Sequence, residues 1–223
     1  MCEDTPVAAV NRRAVLRAGV LGGGLVAAGA AQLWLPTPAS AVVAQPNIFN
    51  TADWGAAPAR GTIQILNPRP TKIIVHHTAT ANSSDFSRAH AFALARSIQQ
   101  SHFARGFIDT GQHFTISRGG FIMAGRHHSL TELNQGADHV LGAHCTGQNE
   151  ESVGIENEGT YTNVQIRDDH YTKLVRLCAY ICQQYDIAPA RIFGHRDFVA
   201  TECPGDRLYN RIPTLRADVR ALL

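Results

Sequence analysis

Apolar and polar positions in this chain fall into short patterned stretches set between irregular ones. Lys72 to His76 is a β-branched run that reads as a buried strand. Gln112 to Ser117 alternates, Arg118-Gly119-Gly120 turns, and Phe121 to Ala124 returns, which predicts a hairpin. Ser152 to Asn157 is a further strand. Asp168 to Tyr185 is the clearest helix, because Leu174, Leu177, Cys178, Ile181, Cys182 and Tyr185 fall on one face. Ser83 or Ser84 is placed to cap an earlier helix running to about Ala104, whose apolar positions are only roughly helical in period. Leu130 to Asn149 reads as loop, Arg191 to Gly194 as a short strand, and Pro213 opens a closing helix to Leu223. Strands and helices interleave without the strict alternation of a doubly wound fold. The expected class is α/β, with a mixed central sheet flanked by helices.

The beginning of the chain has a different character. Asn11-Arg12-Arg13-Ala14-Val15-Leu16-Arg17 is a basic segment with a twin-arginine look, and an Ala- and Gly-rich apolar run follows from Ala18 to Leu35. Ala39-Ser40-Ala41 supplies the small residues that a signal peptidase reads. Residues 1–41 are therefore expected to be a cleaved export signal. An uncleaved anchor is the rival, since the apolar run approaches spanning length, but five glycines within it lower its hydrophobicity. No membrane span is expected after cleavage, and the mature protein would act outside the membrane. Residues 42–70 read as irregular, interrupted by Pro46, Pro58, Pro68 and Pro70, with Trp54 docking on the domain. The main domain is assigned to 71–223.

Composition narrows the field. Hydrophobic content of 44% and charged content of 17% exclude a disordered chain, and a net charge of +2 gives no case for nucleic acid as a partner. Cys178 and Cys182 share a helix face, where each is either a small buried hydrophobe or a disulfide partner for Cys145. Eleven histidines is a high count for this length and points to a metal or acid–base site.

Three segments could supply that site. The strand from Lys72 ends in His76-His77, and Gly194-His195-Arg196-Asp197 leads into Thr201-Glu202-Cys203-Pro204-Gly205. One histidine of the pair, with His195 and Cys203, makes an N,N,S donor set. Catalytic zinc takes such a set and keeps a fourth position open. A histidine at a strand end is ordinarily structural, and only one of two adjacent residues can face a given site.

These segments, together with Gly142-Ala143-His144, Val153-Gly154-Ile155-Glu156 and Trp54-Gly55-Ala56, resemble the zinc-dependent N-acetylmuramoyl-L-alanine amidases. That family includes the amidase-type phage lysozymes and the peptidoglycan recognition proteins, and the likeness runs in order over about residues 52–212. It implies a peptidoglycan recognition protein or type 2 amidase-like fold with a zinc-lined groove for peptidoglycan or muropeptides. It also implies that His76, His195 and Cys203 hold Zn2+, with His77 on the other face. By the same likeness Glu156 is the general base, with Glu158 in reserve, and Thr201 supports the oxyanion. His144 and Asn149 then bind substrate, and the protein is expected to work as a monomer.

One departure bears on activity. Phage enzymes and catalytic recognition proteins carry a tyrosine near the metal, and the matching position here is Gln112, which cannot exchange a proton in the same way. A related branch, the bacterial amidases acting on anhydro-muropeptides, also lacks it and resembles this chain at Gly154-Ile155-Glu156-Asn157-Glu158-Gly159-Thr160. A peptidoglycan-binding module without catalysis is the alternative function.

Overall fold

The β-branched run Ile73-Ile74-Val75, flanked by Lys72 and His76-His77, builds strand β3 (Lys72–His77), every residue of which is buried. In a computed structural model, residues 42–223 are described; the expected export signal at 1–41 lies outside them. In chain order the elements are β1 (Ile48–Phe49), β2 (Ile65–Leu66), β3, α1 (Arg88–Ala104), β4 (Phe114–Ile116), β5 (Ile122–Ala124), α2 (Ser129–Gln135) and β6 (His139–Val140). Then follow β7 (Ser152–Asn157), α3 (Asp168–Tyr185), β8 (Ile192–Gly194), α4 (Asp206–Tyr209) and α5 (Ile212–Arg220). A six-stranded sheet runs in the order β1-β5-β4-β7-β3-β8, and β2 with β6 forms a separate antiparallel pair. Only β4 with β5 is antiparallel in the large sheet; the other neighbours are parallel. The mixed α/β class expected from the pattern is the class observed.

Central parallel strands are covered on both faces, which is why β3 reads as continuously apolar rather than alternating. Its Ile73 and Val75 join Val153 and Ile155 of β7 and Phe114 and Ile116 of β4 in the main core. Helix α3 lays Leu174, Leu177, Cys178, Ile181 and Cys182 onto that core, and α5 adds Leu215 and Val219. On a smaller scale, Trp54, Ala91, Ala95 and Met123 pack together, so that α1 and the N-terminal segment meet at the sheet's other face. Trp54 docks as expected: it is fully buried, and its indole N–H donates to Ala124 O at 2.8 Å.

Several local expectations are corrected. Helix α1 begins later than Ser83 or Ser84; Ser87 is its cap, accepting from His90 N at 3.1 Å. The earlier serine is used in a turn instead, where Ser83 Oγ accepts from Asp85 N and Asp85 in turn accepts from Ser87 N. Segment 130–149 is not all loop, since it holds strand β6 and all of α2 but its first residue. Segment 42–70 contributes β1, which pairs with β5, so the sheet draws on residues before position 71. Cys145, Cys178, Cys182 and Cys203 are all free thiols; the buried-hydrophobe reading holds for Cys178 and Cys182. Among the described residues no helix is long and apolar enough to cross a membrane.

Candidate metal centre and groove

Strand register assembles the site. His76 lies opposite Glu156 on β7, and Glu156 lies opposite Thr115 on β4. Val75 lies opposite Gly194, so the next residue, His195, leaves β8 beside His76. Side chains alternate along a strand, so Ile155 and Val75 turn to the main core while Glu156 and His76 turn to the opposite face. All of this occurs at the carboxyl ends of parallel strands, where open α/β sheets hold their ligands.

His76, His195 and Cys203 converge. Their donor atoms lie within 4.8 Å of one another, with Cys203 Sγ 3.7 Å from His76 Nδ1. Zinc with ordinary bond lengths and a tetrahedral angle holds its sulfur and nitrogen ligands about 3.6 Å apart, so this donor set fits that ion. The loop carrying the sulfur is tied shut. Arg196 N donates to Cys203 O at 3.0 Å, and the Arg196 guanidinium donates to Glu202 O and pairs with Asp206 at 2.7 Å. The backbone N–H of His77 donates to Cys203 Sγ at 3.4 Å. His77 turns its ring toward Tyr161 N, whose hydrogen bond it accepts through Nδ1 at 3.3 Å.

Electrostatics keep the two imidazoles neutral and open to a cation, and keep the thiol protonated in the metal-free protein. Burial holds the His76 imidazole well below its ordinary pKa, and neighbouring His195, His77 and His113 push the same way. Burial likewise lowers His195 and lifts the Cys203 thiol to about 12. An arriving cation must therefore displace the thiol proton, which couples metal affinity to pH.

Glu156 is lifted to about 7 by burial, with Arg105 partly opposing the shift. Its carboxylate faces a groove of about 770 Å³ lined also by His76, His195, Cys203, Thr201 and Asn149. Glu158 is engaged elsewhere: it accepts from Arg118 N at 2.7 Å and meets His90 Nε2 at 2.6 Å, so it is not free to serve as an alternative base. Thr201 lies on the groove, with its Oγ1 accepting from Cys203 N at 3.2 Å. Asn149 and His144 both line the groove. Asn149 Oδ1 accepts from His144 N and Cys145 N, and His144 Nδ1 lies 3.0 Å from His76 Nε2. Gln112 is buried at the groove wall and donates through Nε2 to Thr115 Oγ1 at 2.8 Å.

Sequence reasoning missed the wall made by His102, Arg105 and Phe107. The His102 and Phe107 rings stack within 8° of parallel, and the Arg105 guanidinium sits 5.1 Å over Phe107. The available signal was the close of α1 at Ala104 followed by Arg-Gly-Phe, which turns the chain back along the groove.

A mixed sheet bearing a His-His-Cys set of possible metal donors beside a carboxylate on an open groove defines a class of α/β proteins with a candidate metal centre. Residues 66–206 match the family model described as N-acetylmuramoyl-L-alanine amidase, and the chain belongs to that family. It is 31% identical over 181 residues to an N-acetylmuramoyl-L-alanine amidase of Sus scrofa, a match covering 76% of this chain and 27% of the relative. It is 28% identical to peptidoglycan-recognition protein SC2 of Drosophila melanogaster, covering 75% of this chain and 85% of that protein. Among solved structures, Drosophila PGRP-LB superposes with a TM-score of 0.65 at 28% identity, covering 75% of this chain and 93% of that one. The chain spans about a quarter of the length of the porcine amidase it matches.

Proposed function

We propose that this protein is an exported, zinc-dependent N-acetylmuramoyl-L-alanine amidase. It cuts the amide between the lactyl group of N-acetylmuramic acid and L-alanine in peptidoglycan or muropeptides. The observation that carries the reading is the convergence of His76, His195 and Cys203 beside the Glu156 carboxylate on the same groove. Family membership and amidase-named relatives support it.

Amides resist water because the carbonyl is a poor electrophile and the amine a poor leaving group. His76, His195 and Cys203 would hold zinc, which would supply Lewis-acid polarisation of the carbonyl and a more acidic water. Glu156, with a pKa of about 7, is poised to take a proton from the attacking water and deliver it to the departing amine. Thr201 accepts from Cys203 N through its oxygen and keeps its own O–H to donate to the developing oxyanion. Gln112 takes no proton in this scheme, which leaves both transfers to Glu156. His144 and Asn149 wall the groove against the substrate, and the protein acts as a monomer outside the membrane, delivered by the twin-arginine route.

The test is direct. Full-length mature protein is assayed for zinc content and incubated with purified cell wall, and products are read by mass spectrometry. One zinc per chain and free stem peptides beginning with L-alanine are expected, with release abolished by a chelator and restored by zinc. Wall binding without release would establish the non-catalytic module instead.

A further inference from the structure

We propose that His144 is a positioning residue of the metal centre, fixing the rotation and the proton of His76. The inference rests on the metal reading above and assigns that centre a support beyond its three donors.

His76 turns Nδ1 toward Cys203 and Nε2 toward His144, whose Nδ1 lies 3.0 Å away. An imidazole that gives its Nδ1 lone pair to a cation keeps its proton on Nε2. His76 Nε2–H therefore donates, and His144 Nδ1 accepts. The His144 proton is then on Nε2, which points at Ser152 Oγ 3.4 Å away, and the Ser152 hydroxyl donates to Gln148 O at 2.6 Å. A single arrangement of protons satisfies all three contacts, and every donor points away from the donor cluster. Metal-bound histidines are commonly held in this manner through their second nitrogen.

The surroundings are shaped for this ring. A Cβ added at Gly154 would lie 2.5 Å from His144 Cγ, and one at Gly142 would lie 2.7 Å from His144 Cδ2. Both glycines stand where the imidazole needs the space. Asn149 Oδ1 holds the His144 backbone at 2.8 Å, and the His144 ring meets His76 edge-on at 86°. The end of β3 at His76 thus meets two segments more than sixty residues later, at 142–144 and 154, in one contact.

The experiment measures zinc affinity of the full mature chain by competition with a chelator of known strength. His144→Phe fills the ring slot without an acceptor, His144→Ala empties it, and His144→Asn restores an acceptor without the ring. Phe and Ala are expected to weaken zinc binding about 10–100-fold, with Asn recovering most of the loss. Cobalt-substituted Asn protein should keep the wild-type visible spectrum, and the Phe variant should not. Wild-type affinity in a folded Phe or Ala variant overturns the inference. Asn binding no better than Ala also overturns it, and that comparison stands even where Phe does not fold. A wild-type chain that binds no zinc would remove the metal reading itself, a result distinct from either of these.

Discussion

Glu156 carries two opposed demands. In the mechanism proposed above its carboxylate must be ionised to act as a base, yet burial lifts its pKa from 4.5 to about 7. A raised folded-state value means the folded chain gains stability by holding that proton. The gain is complete below about 4.5 and is lost as pH rises through about 7. The full shift bounds the effect at about 3 kcal/mol. Glu156→Gln is therefore expected to raise the melting temperature of the metal-free protein at pH 8 and to leave it little changed at pH 4. The same substitution should lower turnover about 10²–10⁴-fold while zinc content is kept, as metal analysis and steady-state kinetics would show. If the proposed activity holds, kcat/KM should fall on the acid side as Glu156 takes up its proton, with a midpoint below that of the metal-free carboxyl because a bound cation favours the carboxylate.

At the level of elements, the helices divide by what holds them. Helix α3 is fixed by core packing, and Leu177 within it is fully buried. Leu177→Ala should cost about 2–5 kcal/mol in denaturant unfolding. Helix α1 has a weaker apolar stripe and depends more on its cap, so Ser87→Ala should cost about 1 kcal/mol and loosen the groove wall at His102 and Arg105. This division also explains what the sequence disclosed. β7 and α3 were legible to the residue, β7 because Val153 and Ile155 alternate with small or polar residues and α3 because its apolar face repeats over 18 residues. α2 was not: it has seven residues, buries only Ser129 and Leu133, and starts from a left-handed His128 with no side-chain cap. β6 is two residues long and too short to show a period. Of the candidate site, the three residues that converge, His76, His195 and Cys203, were legible through motif likeness. The wall at 102–107 was not, since its residues come together only when the chain folds back on α1.

For the molecule as a whole, the N-terminal segment is part of the sheet rather than a preface to it. β1 pairs with β5, Trp54 bonds Ala124, and Arg96 donates to Trp54 O at 2.6 Å. A chain begun at residue 71 should therefore lose cooperative unfolding, while one begun at residue 42 should retain it; thermal scans of the two would decide.

β8 is a three-residue strand at the margin of the sheet, with β3 its one neighbour. Marginal strands this short fray readily, yet His195 follows directly after it and Cys203 eight residues later. An ion gripped by those two and by His76 would act as a clasp, fastening the loose border to the centre and the helices beyond it to the rest. Removing that ion should quicken amide hydrogen exchange first in 192–204, well before β7 or α3 responds. The cost of losing the cofactor would then be felt as a local unravelling as much as a loss of catalysis.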